Sequence, residues 1–333
     1  MKNKMKIAGV LATVSFSSLL VMELYLIKYA IGKKGRGGER KAAHALHRKK
    51  SVKEAECGNK AAEQQAEHVR PTTVQSDCDT ERKKGAGEQK ICVTAKDGLL
   101  LSGALYEQTG SHRWTIVIHG YRGDHHAMHA YIQRYHDAGY CVLAPDLRSC
   151  GESEGKHLGM GWPDRKDMLV WVAWILRRDP QARIILHGVS MGGATVMMTS
   201  GEETPDAVRA FVEDCGYTSV WDIFACELKY RFAVPRFPLL HTANALAKIC
   251  VGYSFKEASA LRQVKKCHKP MLFIHGTADD FVPFRMLDEL YEAKPGTNKQ
   301  KLVVRDAGHC RCERTLGEEY WKTVYAFLNK YLD

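Results

Sequence analysis

The run Ile184-Ile185-Leu186-His187-Gly188-Val189-Ser190-Met191-Gly192-Gly193-Ala194-Thr195 reads as an apolar strand, a serine flanked by glycines, and a helix of small residues. Passing from strand to helix within one residue strains the backbone of Ser190. The positions two before and two after it must therefore lack bulk, a need met by Gly188 and Gly192. Such an elbow holds the serine hydroxyl above the edge of a sheet. The N–H of Met191 and the start of the following helix then face any negative charge that develops beside it.

Three further runs support an α/β reading. Trp114-Thr115-Ile116-Val117-Ile118 is a β-branched run that opens into His119-Gly120-Tyr121-Arg122-Gly123, a loop whose Tyr121 N–H is a candidate second donor. Pro270-Met271-Leu272-Phe273-Ile274 leads to His275-Gly276-Thr277-Ala278-Asp279-Asp280, and Lys301-Leu302-Val303-Val304 leads to Asp306-Ala307-Gly308-His309. Serine, carboxylate and histidine thus follow one another along the chain, each just past the C-terminal end of an expected strand, where open α/β sheets place their sites. Asp280 and Asp214 also follow expected strands and are alternative acids.

With these motifs and Asp146-Leu147-Arg148-Ser149-Cys150-Gly151-Glu152-Ser153, the chain from about residue 88 to 333 resembles the α/β-hydrolase family, and within it the bacterial branch of serine aminopeptidases and small esterases. The resemblance implies Ser190 as nucleophile, Asp279 as the acid, His309 as the base, and the N–H groups of Met191 and Tyr121 as oxyanion donors. It favours Asp279 over Asp280 through its spacing from His275-Gly276. The implied activity is that of a serine hydrolase cleaving carboxylic esters or thioesters of small-molecule acyl substrates. An aminopeptidase-type serine peptidase and a non-catalytic binding protein on the same fold are the alternatives. Cys310-Arg311-Cys312 departs from the small or hydroxyl residues common after the histidine in relatives.

Charge is unevenly distributed over the 333 residues. Residues 1–90 hold 19 Lys/Arg against 10 Asp/Glu, whereas residues 91–333 hold 30 against 28, so the net +11 belongs mainly to the first stretch. No finger or aromatic-interleaved basic motif accompanies it, and nucleic acid is not an expected partner. The 11 cysteines are odd in number and scattered, unlike a secreted disulfide framework. No cofactor and no metal are expected: Cys310-x-Cys312 lacks two further ligands nearby. His125, His126 and His129 read as an exposed helix start.

Ile7 to Ile27 is apolar but for Glu23 and a few Ser/Thr, and as a helix it would span about 31 Å, enough for a bilayer core. The expected organisation is an uncleaved N-terminal membrane anchor over 1–32 contacting lipid, a charged tether over 33–88, and a catalytic domain over 89–333. The surplus of Lys/Arg after Ile31 favours a single pass with the body on the cytoplasmic side.

Within the body, strands are expected over Ile91–Ala95, Leu100–Tyr106, Thr115–His119, Cys141–Pro145, Ile184–Gly188, Ala210–Glu213, Met271–His275 and Leu302–Arg305. Helices over Arg165–Arg178 and Tyr320–Tyr331 are among those between and after them. The alternation predicts a mostly parallel eight-stranded sheet covered on both faces, with an antiparallel hairpin at its first edge. The interval 216–266, rich in aromatics and interrupted by Pro235 and Pro238, is expected to form a small helical cap over Ser190.

Overall fold

The structure, a computed structural model, describes residues 31–32 and 87–332. Of the anchor expected over 1–32, Ile31 and Gly32 are described and belong to the body instead: Ile31 is buried in its core and accepts the Leu158 N–H at 2.7 Å; the rest of that segment lies outside the described residues, as does nearly all of the expected tether. Among the described residues no helix is long and apolar enough to cross a membrane.

Eight strands form one sheet: β1 (Glu88–Thr94), β2 (Leu100–Tyr106), β3 (Arg113–Ile118), β4 (Cys141–Pro145), β5 (Arg183–Val189), β6 (Val208–Asp214), β7 (Met271–Gly276) and β8 (Lys299–Val304). Their spatial order is β1-β2-β4-β3-β5-β6-β7-β8. β1 and β2 pair antiparallel, as do β2 and β4, and every later pairing is parallel. The principal helices are α1 (His129–Asp137), α2 (Asp164–Arg178), α3 (Met191–Ser200), α4 (Val220–Phe232), α5 (Leu239–Val251), α6 (Ala260–Val264), α7 (Arg285–Ala293), α8 (Cys312–Leu316) and α9 (Glu318–Leu332).

The central strands are apolar throughout because both of their faces are buried. Along β3, Ile116 and Ile118 enter one core and Val117 the other; along β7, Met271 and Phe273 part in the same way from Leu272 and Ile274. This is the two-residue period of a strand. Trp171 and Ile175 of α2 and Val196 and Met197 of α3 fill the first core, while Tyr135 of α1 and Trp321, Phe327 and Leu328 of α9 fill the second. From β3 the chain crosses to β4 on one side, and from β5 to β6 on the other. The loops after β3 and β5 therefore diverge, leaving a crevice at the C-terminal ends of these strands.

Several expected boundaries need correction. β8 spans Lys299–Val304, not Leu302–Arg305: its first residues pair with Met271 and Leu272, and Asp306 already turns at φ 57°. Lysines at 299 and 301 disguise this edge strand in the sequence, as edge strands often require. β1 begins at Glu88, inside the stretch read as tether.

The cap is also smaller than expected. Helices α4 and α5 are separated across Pro235 and Pro238, but α6 belongs to the body, where Gln263 abuts Gly201 at the end of α3. Leu239 and Leu240 pack inward, whereas Tyr230 and Phe237 are each 70% exposed. These two rings line solvent and not the expected apolar roof. A cavity of about 670 Å³ beside α4 is lined by Asp222, Cys226, Arg236 and Arg285 among others, and by no residue of the Ser190 elbow.

The elbow rests on backbone-to-backbone packing. A Cβ at Gly192 would overlap the carbonyl oxygen of Ile118, and one at Gly188 the carbonyl of Gly192. Neither obstacle is a flexible side chain. Gly192→Ala is expected to destabilise the domain by about 2 kcal/mol or more, read as a lower urea midpoint at unchanged m-value. Ala at the open position Gly139, whose φ of 84° is the only obstacle, is expected to cost less.

Candidate active site

Ser190 sits at φ 58°, ψ −116°, directly before the first residue of α3. Its N–H donates to the Asp214 carbonyl (2.8 Å), so the strained residue is fastened to the end of β6. Its Oγ lies 2.8 Å from His309 Nε2, and His309 Nδ1 lies 2.8 Å from Asp279 Oδ2. The structure thus brings together three residues spread over 119 positions of chain.

The acid and histidine loops are built as one piece. Thr277 N–H donates to Val304 O (2.9 Å) and Ala278 N–H to Ala307 O (3.0 Å), while Thr277 Oγ1 accepts from Asp306 N–H (2.9 Å). Gly276 is obligatory here because a Cβ would overlap the Ala307 carbonyl.

The Asp279 side chain is fully buried. Its Oδ1 accepts the N–H groups of Phe281 (2.9 Å) and Val282 (2.8 Å). Its Oδ2 faces both His309 Nδ1 and His275 Nε2, the latter at 3.2 Å. Burial alone would raise this carboxyl, but the two imidazoles and the Val282 N–H outweigh it and hold it well below the usual carboxylate range. Asp279 is therefore a fixed anion. His275 also lies 3.0 Å from Val282 O through the same nitrogen, so its Nε2–H braces the carboxylate from beneath.

Asp280 is exposed. Asp214, the other alternative acid, is buried and turned away: Tyr320 Oη donates to its Oδ2 at 2.9 Å, and burial raises it to about 6. Tyr320 is also 3.2 Å from His187 Nε2, whose Nδ1 lies 2.9 Å from Tyr135 Oη. Burial holds His187 down at about 3, as a neutral ring. This polar layer underlies the site.

Gly120 packs against Ser190 and Val189, which brings the adjoining Tyr121 amide alongside the elbow. The loop is organised by His119, a buried ring whose Nε2 accepts the Leu147 N–H (2.9 Å) and whose Nδ1 lies 2.7 Å from Gly120 O. An Nε2 that accepts fixes the neutral Nδ1–H tautomer, and burial keeps the ring neutral. The N–H of Met191 lies in the first turn of α3, for which the helix offers no acceptor.

Asp146 makes three contacts around the loop after β4. It accepts the N–H of His125 (2.9 Å), His125 Nδ1 (2.8 Å) and the Glu152 N–H (2.8 Å), folding the loop after β4. His125 is correspondingly a tethered residue, against the expectation of an exposed helix start; only His126 and His129 are exposed.

The two cysteines of Cys310-x-Cys312 part company. Cys312 is buried against Asp214. Cys310 meets Cys215 instead, with the sulfurs 3.8 Å apart, and these sulfurs and a ring nitrogen of His309 all lie within 4.8 Å of one another. Burial disfavours a charged His309, but Asp279 and Cys310 outweigh it and raise the ring well above an ordinary imidazole. The hydrogen bond from Cys215, opposed by burial and reinforced by His309, holds Cys310 well below an ordinary thiol. Sequence reasoning missed Cys215 and the brace at His275. The first lies 95 residues from its partner, while the second has a local signal, a histidine four residues before the acid at a strand end.

A family model described as the alpha/beta hydrolase fold matches residues 115–239. An uncharacterized protein of Bacillus subtilis, YqkD, is 30% identical over 204 residues, covering 61% of this chain and 67% of that protein. The chain belongs to the α/β-hydrolase family. Among other relatives of this hydrolase, the Arabidopsis thaliana alpha/beta hydrolase domain-containing protein WAV2 is 29% identical over 155 residues, 45% of this chain and 48% of that one. Among solved structures, a Pyrococcus furiosus esterase is 26% identical with a TM-score of 0.60, over 74% of this hydrolase and 93% of the esterase. An acetyl xylan esterase from Thermoanaerobacterium, at 19% identity and TM-score 0.56 over 74% of this chain and 86% of that one, shares the fold.

Since the thiol at 310 stabilises the His309 imidazolium, its removal has a sign. In Cys310→Ser the His309 titration, followed by NMR of the ring, is expected to move to lower pH than in the unsubstituted hydrolase, and the neutral base then persists further into the acid range. An unmoved titration would leave Asp279 as the sole source of the shift.

Proposed function

We propose that this hydrolase cleaves carboxylic esters or thioesters of small-molecule substrates through an acyl-enzyme on Ser190. The observation that carries this reading is the pair of 2.8 Å hydrogen bonds linking Ser190, His309 and Asp279 at a strained elbow. The likeness to the Pyrococcus furiosus esterase at 26% identity supports the ester class.

In this reading Ser190 Oγ attacks the carbonyl carbon while neutral His309 takes its proton on Nε2. Asp279 keeps the ring's other proton on Nδ1 and stabilises the imidazolium that forms. The N–H groups of Met191 and Tyr121 receive the carbonyl oxygen as it gains charge, each worth about 3–4 kcal/mol in comparable sites. His309 then protonates the departing alcohol or thiol, and a water deprotonated by the same ring releases the acyl group. The raised imidazolium makes His309 a strong acid–base partner whose free-base form increases with pH, so turnover rises toward alkaline pH.

Ser190→Ala is expected to abolish labelling by a fluorophosphonate and to lower kcat on p-nitrophenyl esters by about 10⁴-fold or more, with the circular dichroism of the folded protein unchanged. Asp279→Asn is expected to approach that loss and Asp280→Asn to stay near the parent rate. Labelling that survives Ser190→Ala would refute the assignment. A panel of aminoacyl anilides tests the peptidase alternative, which requires their turnover to exceed that of the esters.

The apolar run 7–27 supports a further proposal, that the hydrolase is held at a membrane by a single N-terminal pass with its body on the cytoplasmic side. Full-length protein is expected in the membrane fraction and resistant to extraction by high salt. Cys57 and Cys78 are expected to react with an impermeant maleimide only after lysis; reaction in intact cells would reverse the orientation.

A further inference from the structure

We propose that Cys310 and Cys215 form an oxidation site for hydroperoxides: Cys310 is the attacking thiol, Cys215 resolves it, and the resulting disulfide pulls His309 away from Ser190 and Asp279. The modification itself does not depend on the hydrolase reading. Its effect on activity rests on the proposed role of His309.

The two sulfurs are 3.8 Å apart, and their surroundings differ in the way such a pair requires. Cys310 is exposed, whereas Cys215 is buried. Cys215 follows β6, and its N–H is anchored to the Ile274 carbonyl at 2.8 Å. Cys310 lies in the turn between β8 and α8, peptide-bonded to His309. Both residues hold positive φ, 48° at Cys215 and 56° at Cys310, a conformation that residues other than glycine and asparagine seldom adopt outside functional or otherwise constrained sites. The hydrogen bond from Cys215 and the neighbouring imidazolium favour the thiolate at Cys310, which is the reactive form. An accessible thiolate backed by a buried second thiol is the arrangement of a redox-responsive cysteine.

In the first step the Cys310 thiolate attacks one peroxide oxygen; an S–O bond forms, the O–O bond breaks, and hydroxide (or the alkoxide of an organic hydroperoxide) leaves. In the second, the Cys215 sulfur attacks the sulfenic sulfur; the S–S bond forms, the S–O bond breaks, and hydroxide leaves with the Cys215 proton as water. With hydrogen peroxide, two thiols lose two electrons and two protons while the peroxide becomes two waters.

Closing from 3.8 Å to a bond of about 2.05 Å requires one side to move by roughly 1.8 Å. Cys215 is fixed by its strand end and by complete burial, so the displacement falls on Cys310 and on the histidine joined to it. His309 is held by hydrogen bonds of 2.8 Å on each side, and a misplacement of about 1 Å at such a ring costs on the order of a hundredfold in rate.

The full-length protein, reduced and desalted, is treated with hydrogen peroxide and digested without reductant. The expected product is a linked peptide pair containing Cys215 and Cys310, forming about tenfold faster than oxidation of the exposed Cys250 on α5. Fluorophosphonate labelling of Ser190 falls in step and returns with dithiothreitol. In Cys215→Ala, dimedone traps the sulfenic acid on Cys310. In Cys310→Ser no link forms and labelling becomes insensitive to peroxide, although this variant also lacks the thiolate. Cys215→Ala separates loss of the thiolate from displacement of the ring, because there the thiolate is lost to oxidation without a link, and labelling of Ser190 is expected to survive. Absence of the link, or oxidation of Cys310 no faster than Cys250, overturns the proposal; a link that leaves labelling intact overturns its effect on His309. Failure of the untreated protein to label at all would count against the hydrolase reading, while the link is still read by mass.

Discussion

The close approach of α3 to the ends of β3 and β5 governs the rest of this molecule. Because Gly188 and Gly192 carry no side chain, the first turn of the helix lies directly on the carbonyls of Ile118 and His119. That approach fixes three things together: the strained backbone of Ser190, the direction of the helix N-terminus, and the position of the loop carrying Gly120 and Tyr121. A single added methyl group would separate them all. The β3–β5 crevice takes its shape from two backbones that touch there.

Around this contact the charge arrangement is unequal by design of the fold. Asp279 is buried yet anionic, because two N–H groups and two imidazoles face it. Asp214 is buried with fewer donors and lies much nearer neutrality. The two carboxyls end adjacent parallel strand segments, so the sheet alone does not distinguish them. What distinguishes them is the turn after β7, which folds Phe281 and Val282 back onto Asp279, whereas Asp214 has the hydroxyl of Tyr320 and the thiol of Cys312 as its hydrogen-bonding neighbours among the described residues.

Local chemistry was legible in the sequence wherever a residue type answers to its immediate neighbours. The strand-serine-helix elbow, the apolar central strands and the histidine after β8 have such signatures, and the structure places Ser190, Asp279 and His309 in one hydrogen-bonded line. Features set by contacts far apart in the chain were not legible. The pairing of Cys310 with Cys215 depends on two loops meeting at the sheet's end, and the spacing of Cys310-x-Cys312 points to a different partner. The start of β8 was hidden because an edge strand carries lysines, and the fate of the cap aromatics because helix boundaries do not say which face meets the body. His125 likewise depends on Asp146, 21 residues on at the end of the adjoining strand β4.

The order of the strands also bears on when the site comes into being. The elbow is complete once β3, β5 and β6 have met, but Asp279 and His309 follow β7 and β8, and α9 must still cover the second core with Trp321, Phe327 and Leu328. During synthesis from the N-terminus Ser190 therefore emerges well before His309, which meets its Oγ, and before Asp279 behind that ring. A nascent or truncated chain that has reached only the elbow carries this serine without its histidine partner. The hydrogen bond between Ser190 and His309 thus forms only once the far end of the sheet has closed.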